Sequence, residues 1–142
     1  MQECCVLFAL IMSKLSLNAD LVGRRYPEMR NYLSKAWVNA FKGSTSSAKP
    51  MPLSFVAALR DGPFAVFDDL EVPLKNLLHI SQDYDYHAPL EIEKDLRHLT
   101  KILKLKEKTI KLGDVYLMVL ETDFLQDDEL KIQSRMSVFI RR

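Results

Sequence analysis

The sequence predicts an α+β fold: N-terminal helices followed by a mostly antiparallel four- or five-stranded sheet with two further helices. Three observations predict it. Apolar residues recur at three- and four-residue steps in the first third, as in Cys4, Leu7, Phe8, Ile11, Met12 and Leu15. Near the end, Leu130, Ile132, Met136, Val138 and Ile140 alternate with Lys131, Gln133, Arg135, Ser137 and Arg141, the pattern of a strand with one face on a core and one in water. Between these regions there is no regular alternation of strand and helix of the kind a parallel sheet requires.

Taken in order, the first helix ends at the breakers Asn18 and Asp20. A second is expected to open at Pro27, where a missing N–H costs nothing, with Met29, Tyr32, Leu33, Ala36, Trp37, Ala40 and Phe41 on one stripe. Residues 43–52, GSTSSAKPMP, read as a flexible linker. Residues 53–59 and 64–67 then suggest two strands joined through Asp61-Gly62, a dipeptide suited to hairpin turns. Asp68 and Asp69 stand where helix caps belong, and Val72, Leu74, Leu77, Leu78 and Ile80 offer a face for a short third helix. After the turn-rich QDYDYHAP, a fourth helix is expected from Pro89, burying Leu90, Ile92, Leu96, Leu99, Ile102 and Leu103, with Glu93 and Arg97 spaced as a helix ion pair. Residues 109–112, 115–122 and 130–140 read as strands, and residues 115–120, apolar on both faces, belong at the sheet centre.

Length and composition fit one domain over residues 1–142, with a helical part at 1–42, the linker at 43–52 and a sheet-containing part at 53–142. A 48% apolar and 27% charged composition excludes a disordered chain. The net charge of +1 excludes a global field that would draw the protein onto nucleic acid, so anion binding would need a local patch. Cys4 and Cys5 are adjacent and unsuited to a mutual disulfide, which points to a reducing, cytoplasmic setting. The apolar residues 4–12 are too few to span a bilayer and read as a buried helix, with an N-terminal membrane anchor as the alternative.

No Walker loop, GxGxxG, CxxC, HExxH or GxSxG occurs, so no catalytic residue, cofactor or metal is assigned and a non-enzymatic role is expected. Asp83, Asp85 and His87 alternate in a way that would gather them on one side of an extended segment, yet they offer no fourth ligand and read as turn residues. His79 and His98 read as isolated helical histidines. The run KILKLKEKTIK sets Lys101, Lys104, Lys106, Lys108 and Lys111 against Glu107 alone and is the candidate surface for an anionic partner, membrane or nucleic acid. Its ordinary alternative is a solvated helix end. Phe124 and Leu125, flanked by Glu121, Asp123, Asp127, Asp128 and Glu129, read as an apolar pair on an acidic hairpin loop and as a candidate protein contact. A basic stripe and an acidic loop on one chain fit head-to-tail homo-oligomers.

ALRDGPFAVFDDL and LGDVYLMVLETDFLQDDEL resemble, in their order of elements, segments of the matrix proteins of negative-strand RNA viruses, rhabdoviruses especially. The resemblance implies self-assembly, binding to anionic membrane and contact with a nucleocapsid. From the residues themselves the expected function is that of an interaction or assembly protein that self-associates and binds a macromolecular partner.

Overall fold

The computed structural model describes residues 15–45 and 53–142. Within them, five strands form a single antiparallel sheet: β1 (Met29–Tyr32), β2 (Leu77–Tyr86), β3 (Asp95–Ile110), β4 (Gly113–Gln126) and β5 (Glu129–Arg141). Their spatial order is β1-β3-β4-β5-β2. Helix α1 (Lys35–Thr45) follows β1, and helix α2 (Asp61–Asp69) lies across the concave face against β3 and β4. Short 3-10 turns occupy Ala19–Leu21, Leu53–Ala58 and Leu74–Asn76. The α+β class and the antiparallel sheet are as the sequence predicts. The helices are placed differently: of those expected within the described residues, only the second overlaps an observed helix, α1.

The strands expected at 115–122 and 130–140 lie within β4 and β5, whereas the one expected at 109–112 falls across the end of β3 and the turn after it. β4 is the middle strand, with Val115, Tyr116, Met118 and Leu120 all buried. It turns into β5 through Asp127 and Asp128 alone, both at positive φ (51° and 60°), the backbone that a two-residue hairpin demands. Lys94 and Arg97 bond the two turn carboxylates.

The expected fourth helix is instead β3. Leu96, His98, Thr100 and Ile102 point to the core at period two, but the polar His98 and Thr100 disguise the alternation and leave Leu96, Leu99 and Ile102 to imitate helical spacing. Thirteen β3 residues pair with β4, and this pairing overrides the local pattern. The Glu93–Arg97 helix pair therefore does not exist: Glu93 accepts from the Tyr32 hydroxyl and the Lys35 N–H, while Arg97 bonds Glu28 and Asp128. The expected third helix shrinks to the turn Leu74–Asn76; Leu77, Leu78 and Ile80 enter β2, and Val72 packs in the core ahead of the turn.

The expected hairpin across Asp61-Gly62 is α2. Gly62 has no positive φ; its value is space, since a Cβ there would collide with the Thr100 hydroxyl beneath it. Asp61 suits the positive end of the helix and Pro63 its first turn. Helix α1 begins at Lys35, capped by Ser34 Oγ accepting from the Trp37 N–H (3.1 Å), and not at Pro27, because Met29–Tyr32 is drawn into pairing with Asp95–His98. Gly43, expected to open the linker, sits inside α1. The rest of that linker, residues 46–52, and the expected first helix up to Lys14 lie outside the described residues.

Two apolar clusters fill the concave side. One joins Leu33, Val38, Phe55, Val56, Leu59, Leu90, Leu96, Phe124 and Ile132; the other joins α2 through Val66 and Phe67 to Ile102, Tyr116, Met118, Leu120, Val138 and Ile140. Leu15, Leu17 and Leu21 pack on the second cluster, and the Leu17 N–H donates to the Tyr116 hydroxyl (3.1 Å). Gln126, almost fully buried, accepts from the Glu91 N–H and donates to its carbonyl, which fastens the loop between β2 and β3 to the end of β4. No described helix is long and apolar enough to cross a membrane.

Candidate functional site

Between α2, the turn Leu53–Ala58 and the β4-β5-β2 side of the sheet lies a cavity of about 480 Å³. Its roof is Val56, Ala57, Leu59, Pro63, Phe64 and Phe67. Thr122 and Phe124 of β4 and Ser134, Met136 and Val138 of β5 make the floor, and β2 supplies Leu77, His79, Gln82 and Tyr84. A bulge between His79 and Ser81 makes this β2 wall possible. It inserts Ile80, so that His79 and Gln82, three apart, both face inward.

Most of this lining is apolar; Thr122, Ser134 and Tyr84 share one row across the sheet, Gln82 stands in the next, and His79 one row further on, level with Val138. Gln82 Nε2 donates to Ser134 Oγ (2.8 Å), and the Thr100 and Thr122 hydroxyls share a buried hydrogen bond (2.9 Å). His79 is the one imidazole in the wall, and Arg60 stands at the α2 end, its Nε donating to the Ala57 carbonyl (2.9 Å). Burial pushes the Tyr84 phenol above its ordinary value, keeping it protonated and able to donate. No carboxylate lines the cavity among the described residues. The pocket is thus built to bury an extended apolar chain and to bind neutral polar groups along its β2 wall.

Behind Phe124 lies His98, its ring centroid 4.9 Å from that of the phenylalanine. Its side chain is buried and neither ring nitrogen has a hydrogen-bond partner; Asn31 Oδ1 is likewise buried and unpartnered. Burial pushes the His98 pKa down, with the Asp61 carboxylate opposing, so the imidazole is neutral in the folded state.

The residues singled out from the sequence fall in different places. Phe124, expected on an exposed loop, is 1% exposed and part of the cavity floor, because β4 continues through it; Leu125 is half-buried opposite Leu130. Lys101 is bonded to the buried carboxylate of Glu121 (3.1 Å), which Arg135 also holds (3.0 Å). Burial alone would raise the Glu121 pKa, but hydrogen bonds from Arg135 and Lys101 outweigh it and set it below the ordinary carboxylate value. Lys104, Lys106 and Lys108 are on β3 and not on a helix end; Lys111 is in the turn that follows. Asp83 and Asp85 share the convex face of β2, whereas His87 lies beyond the strand end with its N–H on the Lys131 carbonyl, so the three do not converge. His79, which the sequence reading set aside, faces the cavity; the bulge that places it there interrupts the only periodic signal that would have shown it.

A helix lying in the concave side of a five-stranded antiparallel sheet ordered β1-β3-β4-β5-β2, with a chain-sized cavity between them, defines a hot-dog domain. Residues 21–133 match the model of the FAS1-like dehydratase domain region, and the chain belongs to that family. Solved structures of similar fold include the C-terminally truncated HadBC (3R-hydroxyacyl-ACP dehydratase) complex of Mycobacterium tuberculosis, at 19% identity and TM-score 0.70, covering 87% of this chain and 99% of that one. The ChsH1-ChsH2 complex of the same organism matches at 10% identity and TM-score 0.67, covering 82% and 84%. The (R)-hydratase from A. caviae involved in PHA biosynthesis matches at 16% identity and TM-score 0.60, covering 88% and 98%. No curated protein matches. The family match overturns the expected non-enzymatic assembly function, and with it the viral-matrix reading: the family is one of dehydratases. The sequence shows no motif for this, since the cavity is assembled from residues scattered over 83 positions, Val56 to Val138, with no local signature.

Proposed function

We propose that this chain is the acyl-holding member of a dehydratase that removes water from, or adds it to, a fatty acyl thioester, and that it works against a second chain of similar fold. The carrying observation is the largely apolar cavity between α2 and the sheet, with Thr122, Ser134 and Gln82 grouped in its floor and wall and His79 one row beyond Gln82. The acyl chain lies along the apolar roof and floor, and its hydroxyl or carbonyl end meets the β2 wall between His79 and Gln82. Eliminating water requires a base for the hydrogen next to the carbonyl and an acid for the departing hydroxyl. This wall offers the His79 imidazole. A second wall, contributed by the partner, completes the set.

Two observations favour a partner. β2 is an edge strand of ten residues with no proline and with Leu78, Ile80 and Tyr86 exposed, so its outer backbone groups and apolar side chains suit edge-to-edge pairing. Two of the similar structures, HadBC and ChsH1-ChsH2, are described as complexes. The test is calorimetric titration of 3-hydroxyacyl pantetheine thioesters of increasing chain length. Affinity is expected to rise by about 0.8 kcal/mol per added methylene until the cavity is full and then level off. Affinity independent of chain length refutes the reading.

A further inference from the structure

On the convex face, away from α2, the register builds a surface that the cavity does not use. Because residues paired across strands share a face, Lys108, Val115 and Arg141 form one row, Lys106, Leu117, Phe139 and Leu78 the next, and Lys104, Val119, Ser137 and Ser81 the third. Lys104, Lys106 and Lys108 are exposed, and none has an ion-pair partner among the described residues. The adjoining rows are different: Lys101, Glu121, Arg135 and Asp83, then Leu99, Asp123, Gln133 and Asp85. There the cations are already bonded to Glu121, and Asp123 accepts from Gln133. The face is therefore divided into a cationic half with an apolar floor and a half that carries its own acids.

At the end of the cationic half lies a second cleft of about 220 Å³, walled by Leu78, Ile110, Leu112, Val115 and Phe139, with Lys75 and Arg141 at its rim. Leu112 is 63% exposed there. A half-buried apolar strip, ending in the exposed Leu78 and Leu112, beside a line of unpaired cations asks for a partner that is apolar on one side and acidic beside it.

We propose that this half-face docks an acidic amphipathic helix of a protein partner, lying parallel to β3. Alternate β-strand residues place the three ammonium groups about 6.7 Å apart. Carboxylates four residues apart on a helix rise about 6.0 Å per step, so three successive ones follow the lysine line. The apolar side of the helix covers Leu117, Val119 and Phe139, and one bulky side chain enters the second cleft. A helix about 10–12 Å wide stays within the cationic half. A membrane or a nucleic acid duplex, laid flat, would also meet Asp83, Asp85 and Asp123, and the face repels it there.

The experiment uses fluorescence anisotropy with the full chain and a labelled 18-residue synthetic helix, leucines at i, i+3, i+4 and i+7 spacing and glutamates elsewhere, at low and at physiological salt. The triple change Lys104→Glu, Lys106→Glu and Lys108→Glu is expected to weaken binding by at least about tenfold, and Phe139→Ser to weaken it while the salt dependence remains. Far-ultraviolet circular dichroism confirms that both variants fold, as the lysines are exposed and unpaired. A smaller loss in the triple variant overturns the proposal. So does wild-type binding to phosphatidylserine vesicles or duplex DNA that equals or exceeds binding to the helix. The outcome is independent of the acyl-holding reading, because the thioester titration reports the concave cavity and is unaffected by these substitutions.

Discussion

Gly62→Ala tests how α2 is seated over the sheet. The glycine has no positive φ, so helix propensity alone would favour alanine there by up to about 1 kcal/mol. The structure gives the opposite sign. The new methyl group meets the Thr100 hydroxyl, and its Cβ lies 3.7 Å from Thr122 Oγ1, so relieving the clash displaces the buried Thr100–Thr122 hydrogen bond. Overpacking of this kind costs about 1–3 kcal/mol, and leaving a buried hydroxyl unsatisfied about 1–3 more. The expected net loss is about 3 kcal/mol after the propensity gain. Urea unfolding followed by the fluorescence of Trp37, the single tryptophan, packed edge-on against Phe55, should show the midpoint falling by about 1.5 M. In a Thr100→Ala background the obstructing oxygen is gone, and the same substitution should then cost less than about 1 kcal/mol. A neutral or stabilising Gly62→Ala, or a cost undiminished by Thr100→Ala, refutes the packing argument.

Three further outcomes follow from the buried polar groups. His98 is held neutral in the folded protein, so as pH falls below about 6.5 the unfolded chain takes up a proton that the native state refuses, and stability declines until the depressed folded pKa is reached. His98→Leu should remove that part of the decline between pH 7 and 5 in unfolding free energies, and an unchanged slope would contradict it. Glu121 has a lowered pKa, so its stabilisation is present above about pH 4.3 and is lost as pH falls through the folded value. Glu121→Gln should cost about 1–2 kcal/mol at pH 7, discounted because Lys101 and Arg135 are partly exposed, with the difference vanishing in acid. Gln126→Leu strips both hydrogen bonds from the Glu91 backbone and is expected to cost about 2 kcal/mol, with faster amide exchange at Glu91 as its signature.

The sequence disclosed the sheet where alternation was clean and misled where it was not. In β5, Ile132, Met136, Val138 and Ile140 alternate with Gln133, Arg135, Ser137 and Arg141 despite the inward Ser134 and outward Phe139, and β4 is apolar enough to sit in the middle. In β3, two inward positions carry His98 and Thr100, and the apolar remainder counts as helical. At Asp61-Gly62 the local chemistry suits either a hairpin or a helix start, and the decision is made by contact with Thr100, some forty residues away, which no window of sequence contains. The cavity was illegible for the same reason. Its floor comes from β4 and β5, its roof from α2, and its histidine from a strand whose register shifts at Ile80. The lysines were visible as a run, yet their alignment beside an apolar strip depends on pairing across four strands.

The central claim, that the cavity under α2 holds the acyl chain, is tested most directly by filling it. Ala57 lies in the roof and is only partly buried, so Ala57→Phe projects a ring into the space while leaving the surrounding core its own packing. The measurement is the dissociation constant of an acyl pantetheine thioester for the wild-type chain and for this variant, with urea unfolding of both as a control on the fold. The account predicts that the variant keeps its stability and binds at least about tenfold more weakly, a loss of about 1.4 kcal/mol. Equal affinity in the two proteins, or no binding by the wild type, would contradict it.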